Sequence, residues 1–104
     1  MKLADELRRE SRRSPITLYY ETLLRDMRLE AREGGNHKIV QIAPKWYNTI
    51  YQKLTKEGFE VKIYNYNVDN ISHMVYIIWD KEKFDEVLKD NTDIDPNNFH
   101  NGLI

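Results

Sequence analysis

Residues 71 to 79, ISHMVYIIW, place apolar side chains on both faces of any strand that they form. One face carries Val75, Ile77 and Trp79, and the other carries Met74, Tyr76 and Ile78. A strand with one wet face would instead alternate apolar and polar residues. The segment therefore predicts a strand that is buried on both sides, in the middle of a small sheet.

Two other segments predict the neighbours of this strand. The sequence HKIVQI at 37–42 is short, rich in β-branched residues and bounded by turn-forming residues. The sequence FEVKIYNY at 59–66 alternates apolar and polar residues, and the turn-forming residues 67–70 join it to the third strand as a hairpin. We expect a three-stranded mixed sheet in the order 1-3-2, with the third strand antiparallel to both neighbours.

Helix signals occupy the segments before and between these strands. Ser14 is a suitable N-cap, and Pro15 a suitable first residue, for a long N-terminal helix over 15–33, with a separate short helix before it. Pro44 begins a helix that crosses over from the first strand to the second and stops at Gly58.

The end of the chain changes in composition after the last strand. Asp80 predicts the cap of a short C-terminal helix. Residues 91–104 are rich in asparagine and predict a mobile tail, so we assign residues 1–90 to a single domain. The predicted fold class is α+β.

The long helix is more apolar than one sheet face requires. Leu18, Leu24 and Leu29 lie outside its narrow apolar stripe and widen it. A second apolar partner is therefore expected, either another element of this chain or another copy of it.

The sequence shows no pattern of a catalytic or metal site. It contains no cysteine, and His37, His73 and His100 lack the spacing that places two ligands on one face. Gly34 and Gly35 precede a strand, whereas a phosphate-binding loop leads from a strand into a helix. We expect no enzyme activity, no catalytic or metal-binding residue and no cofactor. With no apolar run of membrane-spanning length, we expect a cytoplasmic protein without membrane contact.

Four arginines form a cationic cluster near the start of the chain: Arg8, Arg9, Arg12 and Arg13. Their guanidinium groups suit phosphate or carboxylate ligands. Glu6 and Glu10 lie within helical reach of them, so a salt-bridged solvent face is the competing interpretation. Since the net charge of the chain is −1, no general attraction to nucleic acid is expected.

Tyrosine is unusually frequent in this chain, with seven in 104 residues, and this is the most informative feature of its composition. Tyr64 and Tyr66 fall on the polar face of their predicted strand, and Tyr76 lies on the strand beside it. These rings suit packing under the long helix, an anchor in a protein interface, or a platform on which a nucleobase stacks. The alternatives stay open at this stage.

The order of these segments resembles the small accessory proteins of tailed bacteriophages and prophages. The resemblance rests on the leading LADELRRES helix, the glycine break, a Pro-initiated helix running into LTKEGFEV, and a closing strand ending in YIIWD. Together with the over-wide apolar helix and the tyrosine-bearing strand, which favour a homo-oligomer, it leads us to expect a non-enzymatic binding protein. The resemblance implies that such a protein occupies a position in the virion, or inhibits or sequesters a host component in the host cytoplasm. That component would be a defence or metabolic protein or a signalling nucleotide. The alternative is a nucleic-acid-binding accessory factor that uses the arginine cluster.

Overall fold

A computed structural model of the chain describes residues 2–11 and 14–103. The described helices are α1 (Leu3–Ser11), α2 (Pro15–Arg32), α3 (Pro44–Lys56) and α4 (Lys81–Asp90), and a 3₁₀ turn covers Pro96–Asn98. The strands are β1 (His37–Ile42), β2 (Glu60–Tyr64), β3 (His73–Ile78) and β4 (Phe99–Asn101). The α+β class predicted from the sequence is confirmed.

The helix starts follow from local capping. The Ser14 hydroxyl accepts a hydrogen bond from the main-chain amide of Thr17 at 3.2 Å, and Pro15 is the first residue of α2. The Asp80 carboxylate accepts one from the amide of Lys83 at 3.2 Å at the start of α4. Each cap satisfies an amide that has no partner within its own helix.

The prediction of a three-stranded mixed sheet is wrong. The sheet has the order β1-β3-β2-β4, and every neighbouring pair is antiparallel. β3 lies between β1 and β2, and β4 pairs with the free edge of β2, where Tyr64 faces Phe99 and Lys62 faces Asn101.

The fourth strand comes from the segment that the sequence assigns to a tail. Phe99–Asn101 is only three residues long, which is too short to show strand periodicity. The residue after it, Gly102, is buried, and its carbonyl accepts a hydrogen bond from the Tyr47 hydroxyl at 2.7 Å. The sheet therefore extends beyond residue 90, where the sequence predicts the domain to end.

The two faces of the sheet are covered by different helices. On one face α2 and α3 close the main core with the strands, through Leu23, Met27, Ile42, Tyr47, Ile50, Leu54, Val61, Ile63, Val75 and Ile77. On the other face Phe84 of α4 packs against Tyr76 and Ile78. Farther along this second face Ile39 and Met74 are 46% and 40% exposed. The helix α4 thus leaves part of the sheet open.

The edge strand β1 has one of its outward carbonyls covered by α2. Because the amide of Trp79 donates to Asn36, the even-numbered residues of β1 bond to β3 and the odd-numbered ones point outward. The outward carbonyl of Gln41 accepts a long hydrogen bond from the Tyr19 hydroxyl, at 3.4 Å.

None of the described helices combines the length and the apolar composition needed to span a bilayer.

Candidate docking groove

A groove of about 480 Å³ runs along α2 from Tyr20 to Ala31. Its lining consists of Tyr20, Leu24, Met27, Arg28 and Ala31 from α2, and of Glu57, Phe59 and Trp79 from the opposite wall. The apolar α2 positions follow each other at steps of four, three and four residues, so they lie on one side of the helix. This surface, the α2 groove, adjoins the core at Met27, which is 3% exposed.

The opposite wall is built by strand register. Since Glu60 pairs with Ile78, the preceding Phe59 and the following Trp79 lie side by side at the same end of the sheet. The Trp79 indole donates a hydrogen bond to the Gly35 carbonyl at 2.9 Å, which fixes the ring plane. The wall is therefore a preformed aromatic surface.

Two opposite charges flank the α2 groove. Arg28 lies on the α2 wall and Glu57 on the opposite wall, at the end of α3. Partial burial raises the pKa of the Tyr20 hydroxyl, and the nearby Glu57 carboxylate raises it further. The Lys53 ammonium lies over the Tyr20 ring, 5.4 Å from its centroid. The groove can thus hold an apolar ligand that carries one anion and one cation.

The predicted arginine cluster is only partly within the described chain. Arg8 and Arg9 are exposed on α1, and the Arg8 guanidinium lies 3.9 Å from the Asp5 carboxylate one turn earlier. Arg12 and Arg13 lie outside the described residues. The described part of the cluster shares its helix with acidic residues.

The three predicted binding tyrosines do not form one platform. Tyr76 is 4% exposed, and its ring contacts Phe84 at a tilt and Phe99 edge on, while the ring of Tyr64 contacts both Tyr76 and Phe99. The Tyr64 hydroxyl accepts a hydrogen bond from the amide of Asp95 at 3.1 Å. These two rings belong to the packing around α4 and β4.

Tyr66 lies apart from the other two tyrosines. Its ring contacts His73 and His100, with centroid distances of 5.4 and 4.7 Å. With His100 it lines a shallow hollow of about 440 Å³ whose other walls include the asparagines 65, 67, 97 and 98. Among the described residues that line this hollow there is no lysine or arginine to receive a phosphate, and the rings are those of Tyr66, Phe99 and His100.

His73 is a core residue and not an accessible base. It is 3% exposed, packs edge on against Tyr47, and its Nδ1 has no hydrogen-bond partner among the described residues. Burial lowers the pKa of His73 below its ordinary value, so the neutral ring is favoured. Within the described chain, no group of three or more histidines and carboxylates is placed to hold a metal ion.

The sequence matches no protein family model and no curated protein, and the fold matches no solved structure. The interpretation of the α2 groove therefore rests on the residues of this chain. The sequence pattern marks most of the apolar lining residues as apolar positions of predicted elements, with Leu24 in the apolar excess of α2 and Trp79 on the third strand, but it does not predict that they form a groove. No pattern in the sequence around Phe59 or Trp79 predicts that the two residues lie side by side, because this follows from the register of β2 and β3.

Proposed function

We propose that this chain is a non-catalytic binding protein that holds an amphipathic helical segment of a partner protein in the α2 groove. The observation that supports this function best is the open, ring-walled groove beside a regular apolar stripe of α2. Stripes with this spacing receive the side chains of a second helix, which inserts residues separated by three and four positions.

The charges of the groove favour a protein segment over a nucleotide. A nucleotide phosphate needs converging cations or amides, whereas this groove offers Arg28 together with the carboxylate of Glu57. The arginines of α1 lie beside Asp5 and Glu6, which weakens the case for nucleic acid. In the phage setting that the resemblance implies, the partner is a host protein whose activity is blocked by the contact.

The test uses two substitutions on the same helix. Ala31 is exposed and lines the groove, so Ala31→Arg fills the groove without disturbing the core. Leu29 is 52% exposed and does not line it, which makes Leu29→Arg the matched control. A partner is identified by cross-linking in host cells and mass spectrometry, and is then purified for binding assays.

We expect the purified partner to bind the native chain and Leu29→Arg alike, and to bind Ala31→Arg about tenfold more weakly or worse. Trp79 reports the contact directly. In a Trp46→Phe background it is the one remaining tryptophan, and its fluorescence changes when a helix covers it. Equal binding by all three proteins, or an unchanged Trp79 signal on binding, would place the interface elsewhere.

A further inference from the structure

We infer that in the free protein the α2 groove is occupied by helix α1 of a second copy of this chain. This inference rests on the proposed function, because it takes the groove to be a receptor for a helix. It names the first occupant, which a partner protein would have to displace.

The helix α1 carries an apolar face that is exposed in the single chain. Leu3 and Leu7 are 67% and 60% exposed, and they lie on one side of the helix because they are four residues apart. Burying two leucines is favourable, and the α2 groove offers Leu24 together with the rings of Phe59 and Trp79.

The dimensions of α1 and of the groove agree. Nine helical residues span about 13.5 Å, and the twelve residues of α2 from Tyr20 to Ala31 span about 18 Å at the same rise per residue. The whole of α1 therefore fits along the groove.

The flanking charges agree as well. At 100° per residue, Glu6 and Arg8 lie on opposite sides of the leucine pair of α1. The groove has Arg28 on one wall and Glu57 on the other. In one of the two directions in which α1 can lie, Glu6 is on the side of the wall that carries Arg28, and Arg8 is on the side of the wall that carries Glu57.

The short connection between α1 and α2 distinguishes a second copy from the chain's own α1. Only residues 12–14 join α1 to α2, so a helix that folded back would place Glu6 level with about Tyr20. Glu6 would then lie about 12 Å along the axis from Arg28, too far for an ion pair. The α1 helix of another copy has no such tether and can lie along the full groove. Two copies that exchange α1 form a closed pair with two identical contacts.

Cysteine cross-linking of the full chain tests the occupant. The native chain has no cysteine, so the variant Leu7→Cys with Leu24→Cys introduces only the pair of interest. With a short bismaleimide we expect a covalent dimer as the main product. The control pair is Asp5→Cys with Leu24→Cys, because Asp5 lies on the far side of α1 from Leu3, and it should give little dimer. A cross-linked monomer would overturn the second copy, and no cross-link in a folded variant would overturn α1 as the occupant.

Charge exchange provides an independent measurement. Glu6→Arg and Arg28→Glu should each weaken dimer association about fivefold in sedimentation experiments, and the two together should restore it. Additive losses in the double variant would overturn the pairing. A strictly monomeric native chain that still binds its partner through Ala31 would refute the exchange of α1 and leave the proposed function standing.

Discussion

The Tyr47 hydroxyl donates a hydrogen bond to the main-chain carbonyl of Gly102 at 2.7 Å, across 55 positions of sequence. Tyr47 lies on α3 in the main core, and Gly102 follows β4 at the outer edge of the sheet. This contact joins the residue that follows β4 to helix α3. Burial raises the pKa of Tyr47, so its hydroxyl stays protonated and remains a donor across the physiological range.

Tyr47→Phe should lower the free energy of unfolding by about 1 to 3 kcal/mol, because it leaves a carbonyl at a buried residue without its donor. The measurement is urea unfolding, together with hydrogen exchange at the amides of β4. Tyr51→Phe on the same helix is the matched control, since its hydroxyl makes no hydrogen bond to β4 among the described residues, and it should cost about 0.5 kcal/mol or less. Equal losses in both variants would contradict the role given to the Tyr47 hydroxyl.

Gly102→Ala should displace β4 from the sheet. A Cβ at this position would lie 2.6 Å from the Val61 carbonyl oxygen and 3.0 Å from the Tyr47 hydroxyl, and it would collide with the Tyr51 ring. We expect a loss of about 1 to 3 kcal/mol and faster proteolysis after residue 90. Asn101→Ala, at the exposed neighbouring position, should stay within about 0.5 kcal/mol of the native chain.

Acid should destabilise the fold partly through His73. Burial holds the pKa of His73 below its ordinary value of 6.5, so the unfolded chain binds this proton first as the pH falls. The stability that the neutral ring contributes is complete above pH 6.5 and is lost as the pH falls through 6.5 towards the lowered pKa. His73→Leu should therefore flatten the fall in unfolding free energy between about pH 7.5 and about pH 5.5.

His37 provides the comparison for this pH experiment. Burial also lowers the pKa of His37, although the nearby Glu30 carboxylate opposes the shift. His37→Gln should therefore leave the part of the slope that belongs to His73. If His73→Leu keeps the native slope while His37→Gln removes it, the assignment to His73 is wrong.

Asp80→Ala should weaken the attachment of α4. The carboxylate accepts the amide of Lys83, and loss of such a cap costs about 1 kcal/mol. Because Phe84 lies on the first turn of α4, fraying should also expose Tyr76. Asp85→Ala, on the exposed side of the same helix, serves as the control for a lost carboxylate, and thermal unfolding separates the two variants.

The parts of the fold that could be predicted from sequence depend on nearby residues. Ser14 and Asp80 mark helix starts because each caps an amide three positions away, and Pro44 marks one because its fixed φ suits the first helical residue. The central position of β3 was predictable because a strand between two covered faces is apolar throughout.

The parts that could not be predicted depend on contacts between distant residues. The short β4 exists because Phe99 meets Tyr64 and because Tyr47 holds the following glycine, and neither contact leaves a local pattern. The α2 groove depends on the register that brings Phe59 beside Trp79. Packing, a protein interface and a stacking platform all stayed open for the tyrosines, since a strand pattern alone does not show that α4 and β4 enclose Tyr76 and Tyr64.

The hydrogen bond between Tyr19 and Gln41 bears on how copies of this chain can associate. An exposed edge strand can pair with a strand of another chain, and repeated addition of this kind has no fixed number of subunits. Here the Tyr19 hydroxyl of α2 donates to the outward carbonyl of Gln41, so this acceptor of β1 is less available to an added strand. The bond therefore disfavours strand addition at the Gln41 end of β1.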